Sequence, residues 1–246
     1  MARLAWSALS LVLFVLLWQV LAALLGARLL PGPAAVGAAL LDLARNGALF
    51  RNIGVTLARV LASFGIAMLI GGAIGIALGR SRAADRLFDA WLVLFLNLPA
   101  LVVIILCYVW FGLTEAAAVT AVAVNKIPNV AVMLREGARA LDRDLAEMAA
   151  VYRFGAWKTF RHVVLPQLAP FFAAAARSGL ALVWKIVLVV ELLGRSNGVG
   201  FELQTAFQLF DVAAILAYAL AFTAVVQAIE LGLLQPWERA VNRWRR

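Results

Sequence analysis

Six runs of the chain, at 4–25, 53–78, 90–112, 116–134, 168–193 and 212–234, are each long and apolar enough to cross a bilayer as a helix. A hydrocarbon core of about 30 Å needs about 20 such residues at about 1.5 Å per residue. Within it every backbone N–H and C=O must be bonded inside the segment. The expectation is therefore an all-α polytopic membrane protein with six transmembrane helices. Composition agrees, since 65% of the 246 residues are hydrophobic and 14% charged, against roughly 25% charged in soluble domains. A single cysteine, Cys107, excludes an intrachain disulfide scaffold. The net charge of +9 would suggest nucleic acid in a soluble protein, yet the basic residues form no dense patch interleaved with aromatics, and no nucleic-acid partner is expected.

In a membrane protein the basic residues report sidedness instead. With the N-terminus inside, 14 of them fall on inner segments: Arg3; Arg80, Arg82 and Arg86; six between Arg135 and Arg161; and Arg239, Arg243, Arg245 and Arg246. Four, Arg28, Arg45, Arg51 and Arg195, fall outside. That bias places both termini and the charged loop 135–167 in the cytoplasm. The first run is too long for the h-region of a cleavable signal peptide, so it is expected to remain as an uncleaved anchor. The organisation expected is a spanning helix at 1–26, an extracytoplasmic segment at 27–52, a five-helix core at 53–234 containing the loop 135–167, and a cytoplasmic tail at 235–246.

Features inside the spans each carry two readings. Gly71, Gly75 and Gly79 lie one helical turn apart on one face, a small-residue stripe for close helix packing within one subunit or between two. Pro99, after Asn97 and Leu98, should bend the third span and strand a carbonyl, as a structural kink or as part of a solute pathway. Lys126, Arg177 and Lys185 fall within apolar runs, where an unpaired basic side chain costs at least about 2.5–3.5 kcal/mol. They line a pathway for an anion, or they are structural, Arg177 by snorkelling to the interface. Asn97, Pro99, Lys126, Lys185 and Glu191 are the candidate pathway residues.

Enzymatic chemistry is hard to place on this chain. The lone His162 has no cysteine or carboxylate at ligand spacing, so no metal site is expected. There is no nucleophile elbow, no His-Glu-x-x-His pair and no phosphate loop. A membrane enzyme would need a convergent constellation at span level, and only Glu191 and Glu230 are acidic within spans, on different helices. A transport scaffold of another type is the other alternative.

The loop is more specific. From Glu147 it reads Glu147-Met148-Ala149, three residues, Arg153, nine residues, Val163, one residue, Leu165-Pro166. This resembles, without a gap, the EAA loop of ABC-importer permeases, Glu-Ala-Ala, x3, Gly, x9, Ile, x, Leu-Pro. Met148 and Val163 depart mildly; Arg153 stands where the pattern has Gly, whose freedom permits a sharp turn, and Gly155 is expected to supply that turn instead. Phe154, Trp157 and Phe160, spaced by three, read as one amphipathic helix, lying on the bilayer or on a protein partner. Thr56-Leu57-Ala58-Arg59-Val60-Leu61, Asn97-Leu98-Pro99 ahead of Trp110-Phe111-Gly112, Trp184-Lys185 before Glu191-Leu192, Gly198-Val199-Gly200, and Glu238-Arg239 before Trp244 resemble the nitrate, sulfonate, taurine and bicarbonate branch.

The resemblance implies a type I (MetI-like) permease fold in a bacterial inner membrane. It implies a dimer, by default of identical subunits, around a solute pathway. Two cytoplasmic ATPases would bind ATP and Mg, with no cofactor on this chain, and an extracytoplasmic binding protein would deliver a small anion or organic solute such as a sulfonate, taurine or nitrate. Membrane lipid is the remaining partner. The residues the resemblance assigns to ATPase coupling are Glu147, Met148, Ala149, Arg153, Phe154, Gly155, Trp157, Leu165 and Pro166, and the surfaces facing the binding protein are 27–52 and 194–211.

Overall fold

A computed structural model describes residues 2–241, and every regular element among them is helical. Arg243, Arg245, Arg246 and Trp244, and the side chain of Arg3, lie outside the described residues. The chain divides into two compact units, each built from two stretches: Met1–Thr56 with Glu191–Val225, and Leu57–Val190 with Val226–Arg246.

The first unit opens with α1 (Ala2–Leu25), whose apolar side chains are mostly exposed, as a lipid-facing helix requires. Gly26, at φ +83°, ends it. The Trp18 indole N–H then donates to the Pro31 carbonyl at 3.1 Å, folding the connection back along the helix. Pro33 begins α2 (Pro33–Arg45) at the position where a missing N–H costs nothing. The stretch 27–52 thus holds a helix and the start of α3 (Ala48–Arg80).

The second unit carries most of α3, then α4 (Arg82–Asn97), α5 (Ala100–Phe111), α6 (Glu115–Arg139), α7 (Arg143–Val151), α8 (Ala156–Thr159) and most of α9 (Leu165–Gly194). In its core Val130 and Leu134 of α6 and Ala175 of α9 pack with Met68, Ile76, Phe171 and Phe172. The stripe Gly71, Gly75, Gly79 faces α6 within this unit. A Cβ on Gly71 would sit 2.7 Å from the Ile127 carbonyl oxygen, and one on Gly79 2.6 Å from that of Arg135. Side chains there would force the helices apart. At the far end of the same pair, Arg135 and Arg139 of α6 bind Asp85 of α4, and Arg135 also reaches Asp89 at 2.6 Å.

The helices differ from the expected spans in extent throughout and in kind at one of them. Four helical stretches, Ala48–Arg80, Glu115–Arg139, Ala156–Gly194 and Val212–Ala240, are long and apolar enough to cross a membrane. The third expected span is not one bent helix: it breaks at Leu98-Pro99 into α4 and α5, inclined by 93°, so the described residues give four or five crossings rather than six. Pro99 caps the start of α5 instead of kinking a continuous helix, because Leu98 ahead of it is held in the extended region that proline imposes on its predecessor. In the first span the described apolar part is Leu9–Leu25.

Two long helices contain a π-helical turn, Phe160–Val164 between α8 and α9, and Glu230–Leu234 between α11 (Val212–Ile229) and α12 (Gln235–Val241). Each precedes a proline at the same distance, Pro166 and Pro236. A proline clashes with the carbonyl four residues back, here His162 and Gly232, and the one-residue widening of a π turn relieves that clash without breaking the helix.

Candidate functional site

The loop 140–167 is built from short pieces. Asp142 caps α7, its carboxylate accepting from the Asp144 N–H at 2.8 Å. The helix ends in a Schellman motif: the Phe154 N–H donates to the Ala149 carbonyl at 2.8 Å and the Arg153 N–H to the Ala150 carbonyl at 3.0 Å. Arg153 takes the left-handed conformation this motif demands, φ +53°. Gly155 has φ −65° and merely caps α8, so the expectation that it supplies the turn is corrected. The turn stays at the position where the permease pattern has its glycine, and an arginine pays the steric cost there.

The single amphipathic helix expected over Phe154, Trp157 and Phe160 carries only the last two, and Phe154 lies in the corner between α7 and α8. The Lys158 ammonium sits 4.4 Å from the Phe154 ring centroid, and Trp157 and Phe160 stack with centroids 6.1 Å apart. Glu147, Met148, Val151, Tyr152 and Trp157 are exposed around this corner, Trp157 by 72%. Ala149 is not: at 1% exposure it seats α7 against its own unit, because the helix turns that face inward beside the π turn. Leu165 and Pro166 open α9 directly after that turn.

A second polar constellation lies in the first unit, around Gly198-Val199-Gly200. These residues start α10 (Val199–Gln208), and their N–H groups have no partner within the helix. Three buried side chains take them in order. Asn52 Oδ1 accepts from Gly198 at 3.1 Å, Thr56 Oγ1 from Val199 at 2.9 Å, and Glu191 Oε2 from Gly200 at 2.8 Å. The Asn52 amide also donates to Glu202 at 2.8 Å, and the Thr56 hydroxyl lies 2.9 Å from Glu191 Oε2. A carboxylate at a helix N-terminus gains from the helix dipole as well as from the bond. Gly198, at φ +103°, has no room for a Cβ, which would fall 2.5 Å from the Glu191 carboxylate. Glu191, fully buried, is thus committed to holding α10.

The remaining pathway candidates scatter. Asn97 donates to the Val93 carbonyl of its own helix at 2.7 Å. Lys185 is exposed. Lys126 is buried on α6. Of the other charges in apolar runs, Arg59 is paired with Glu115 at 2.6 Å, and Arg177 with Glu230 at 3.2 Å and Glu238 at 2.6 Å. Among the described residues no three His, Cys, Asp or Glu side chains gather where they could hold a metal ion. His162 is bonded only locally, to the Lys158 carbonyl at 3.1 Å. Sequence reasoning missed that Thr56 bonds Glu191 and that Asn52 joins the Gly198 N–H to Glu202. Thr56 and Gly198-Val199-Gly200 stood out as patterns, but nothing in their spacing shows that they meet.

Residues 67–231 match the model of the binding-protein-dependent transport system inner membrane component. The chain belongs to this family. It is a permease subunit of an ABC importer and a multi-pass inner-membrane protein, and not an enzyme. The permease is 32% identical over 212 residues to the putative aliphatic sulfonates transport permease protein SsuC of Escherichia coli, covering 84% of this chain and 81% of that one. It is 26% identical over 240 residues to the bicarbonate transport system permease protein CmpB of Synechococcus elongatus, covering 91% and 85%. Its fold is that of a solved inward-facing MetNI methionine ABC transporter chain, with a TM-score of 0.67 at 21% identity over 81% of the permease and 98% of that chain.

Proposed function

We propose that two copies of this permease enclose a solute pathway and that the α7–α8 corner of each carries the stroke of a cytoplasmic ATPase into the membrane. The observation that supports this best is the corner itself. Its exposed Glu147, Met148, Val151, Tyr152 and Trp157 stand on a turn whose spacing resembles the EAA loop, and they offer a protein partner an apolar face rimmed by a carboxylate. Arg153 and Phe154 shape the turn, Gly155 caps α8, Ala149 seats the corner, and Leu165-Pro166 joins it to α9. ATP and Mg belong to the partner chain.

On this reading both termini and the loop face the cytoplasm, where the basic residues concentrate. Six crossings result when α1, 24 residues long, and the bent pair α4–α5 each count as one. The opposite side carries 27–52 and 194–211, on which a binding protein lands. Phe207, Leu209 and Phe210, exposed at the end of α10, suit such a contact. Relatives named for sulfonates and bicarbonate support a small anionic or organic cargo such as a sulfonate, taurine or nitrate. Asn97, Pro99 and Lys185 remain candidates for the lining of the pathway.

The test is reconstitution in liposomes with the ATPase and the binding protein. Val151→Asp, at an exposed position, is expected to abolish both ATPase copurification and binding-protein-stimulated hydrolysis. Unchanged values of both would remove the corner from the mechanism.

A further inference from the structure

Three side chains that carry a charge at neutral pH are buried among the described residues: Arg59, Lys126 and Glu191. Arg59 has Glu115, and Glu191 has the α10 N–H groups and Thr56. Lys126, only 2% exposed, has no hydrogen-bond or ion-pair partner among the described residues. Its place is nevertheless prepared. Its tail lies in a notch opposite Gly179 of α9, where a Cβ would come 2.7 Å from Lys126 Cε and 3.3 Å from both Nζ and the Phe64 ring. Half-buried Asn125 and Asn129 flank it on α6, each using one amide N–H on its own helix, to Ala121 and Asn125 respectively. The rest of each amide is free for another partner.

An unpaired ammonium in an apolar span is costly, and such groups mark ion and substrate paths. Among the described residues every other buried charge is answered from within, so a built notch around an unanswered one calls for a negative charge from elsewhere. We propose that Lys126 is the counter-charge for the transported anion: its ammonium contacts the oxyanion group of the solute during passage, and Gly179 keeps the side chain in reach. This rests on the anion-importer reading above and gives that reading a residue inside the membrane.

The experiment compares wild type, Lys126→Met, Lys126→Arg and Gly179→Ala in liposomes with ATPase and binding protein, using labelled ethanesulfonate, taurine and bicarbonate as probes. Lys126→Met removes a charge that has no partner, so its melting temperature in detergent should hold or rise. Binding-protein-stimulated hydrolysis should persist, while solute moved per ATP falls about tenfold, the scale of one lost charge-assisted contact. Lys126→Arg should retain more uptake than Lys126→Met, and Gly179→Ala should lower uptake with the charge still present. Unchanged solute moved per ATP in Lys126→Met overturns the proposal. So does a lowered melting temperature, which would reveal a carboxylate partner, including one on the second copy. A wild type that hydrolyses ATP but imports none of the three probes would sink the anion-importer reading and this inference with it.

Discussion

Arg153 and Phe210 hold φ at +53° and +55°, each at the end of a helix closed by a Schellman motif. A side chain in that region costs roughly 1–2 kcal/mol. Arg153→Gly should therefore stabilise the permease by about 1 kcal/mol, read as a raised melting temperature in detergent; an unchanged or lowered value would mean that the guanidinium makes a compensating contact. This position also shows where sequence reading stops. The arginine in the glycine slot was visible, but a neighbouring glycine looked like the natural turn. Hydrogen-bond geometry at the helix end decided otherwise, and that geometry is not written in residue type. Glu191 makes the same point: its acidity inside a span suggested a pathway, whereas its bonds make it a helix cap. Glu191→Ala would leave the Gly200 N–H buried and unbonded, at about 1–3 kcal/mol. Amide exchange should then quicken at 198–200 more than in α6, and uniform exchange would refute the capping role.

Elements were more legible than sites. The apolar runs foretold α3, α6, α9 and α11, because a helix in hydrocarbon must be both long and apolar. The 93° break at Leu98-Pro99 was foreseen only as a bend, since proline announces a disturbance but not its angle. The π turns were invisible: Pro166 and Pro236 follow one, whereas Pro128 and Pro170 sit inside α-helices that have none. Pro166→Ala removes the clash with the His162 carbonyl and should let 160–164 relax to an ordinary α-helix. The preceding corner would then swing by about 100°, one residue at 3.6 per turn. Uptake should fall while intrinsic hydrolysis by the ATPase persists. Equal transport per ATP in Pro166→Ala and wild type would show that the turn is not needed to aim the corner.

At the scale of the whole molecule, sidedness is open to direct test. Ser196→Cys and Asp144→Cys, both at exposed positions, in a Cys107→Ala background should react with an impermeant maleimide from opposite faces of the membrane. Reaction of both from outside would overturn the orientation read from the arginines. The division into units has a further consequence for biosynthesis. Asn52 and Thr56 leave the ribosome 135 or more residues before Glu191 and the Gly198 turn that satisfy them, and everything in between belongs to the other unit. At about 5–20 residues per second this is a wait of about 7–27 seconds. During it, two polar side chains on a membrane helix stand without their native partners. Nascent chains stalled after residue 190 should thus be recognised by membrane quality-control proteases far more readily than chains stalled after residue 225.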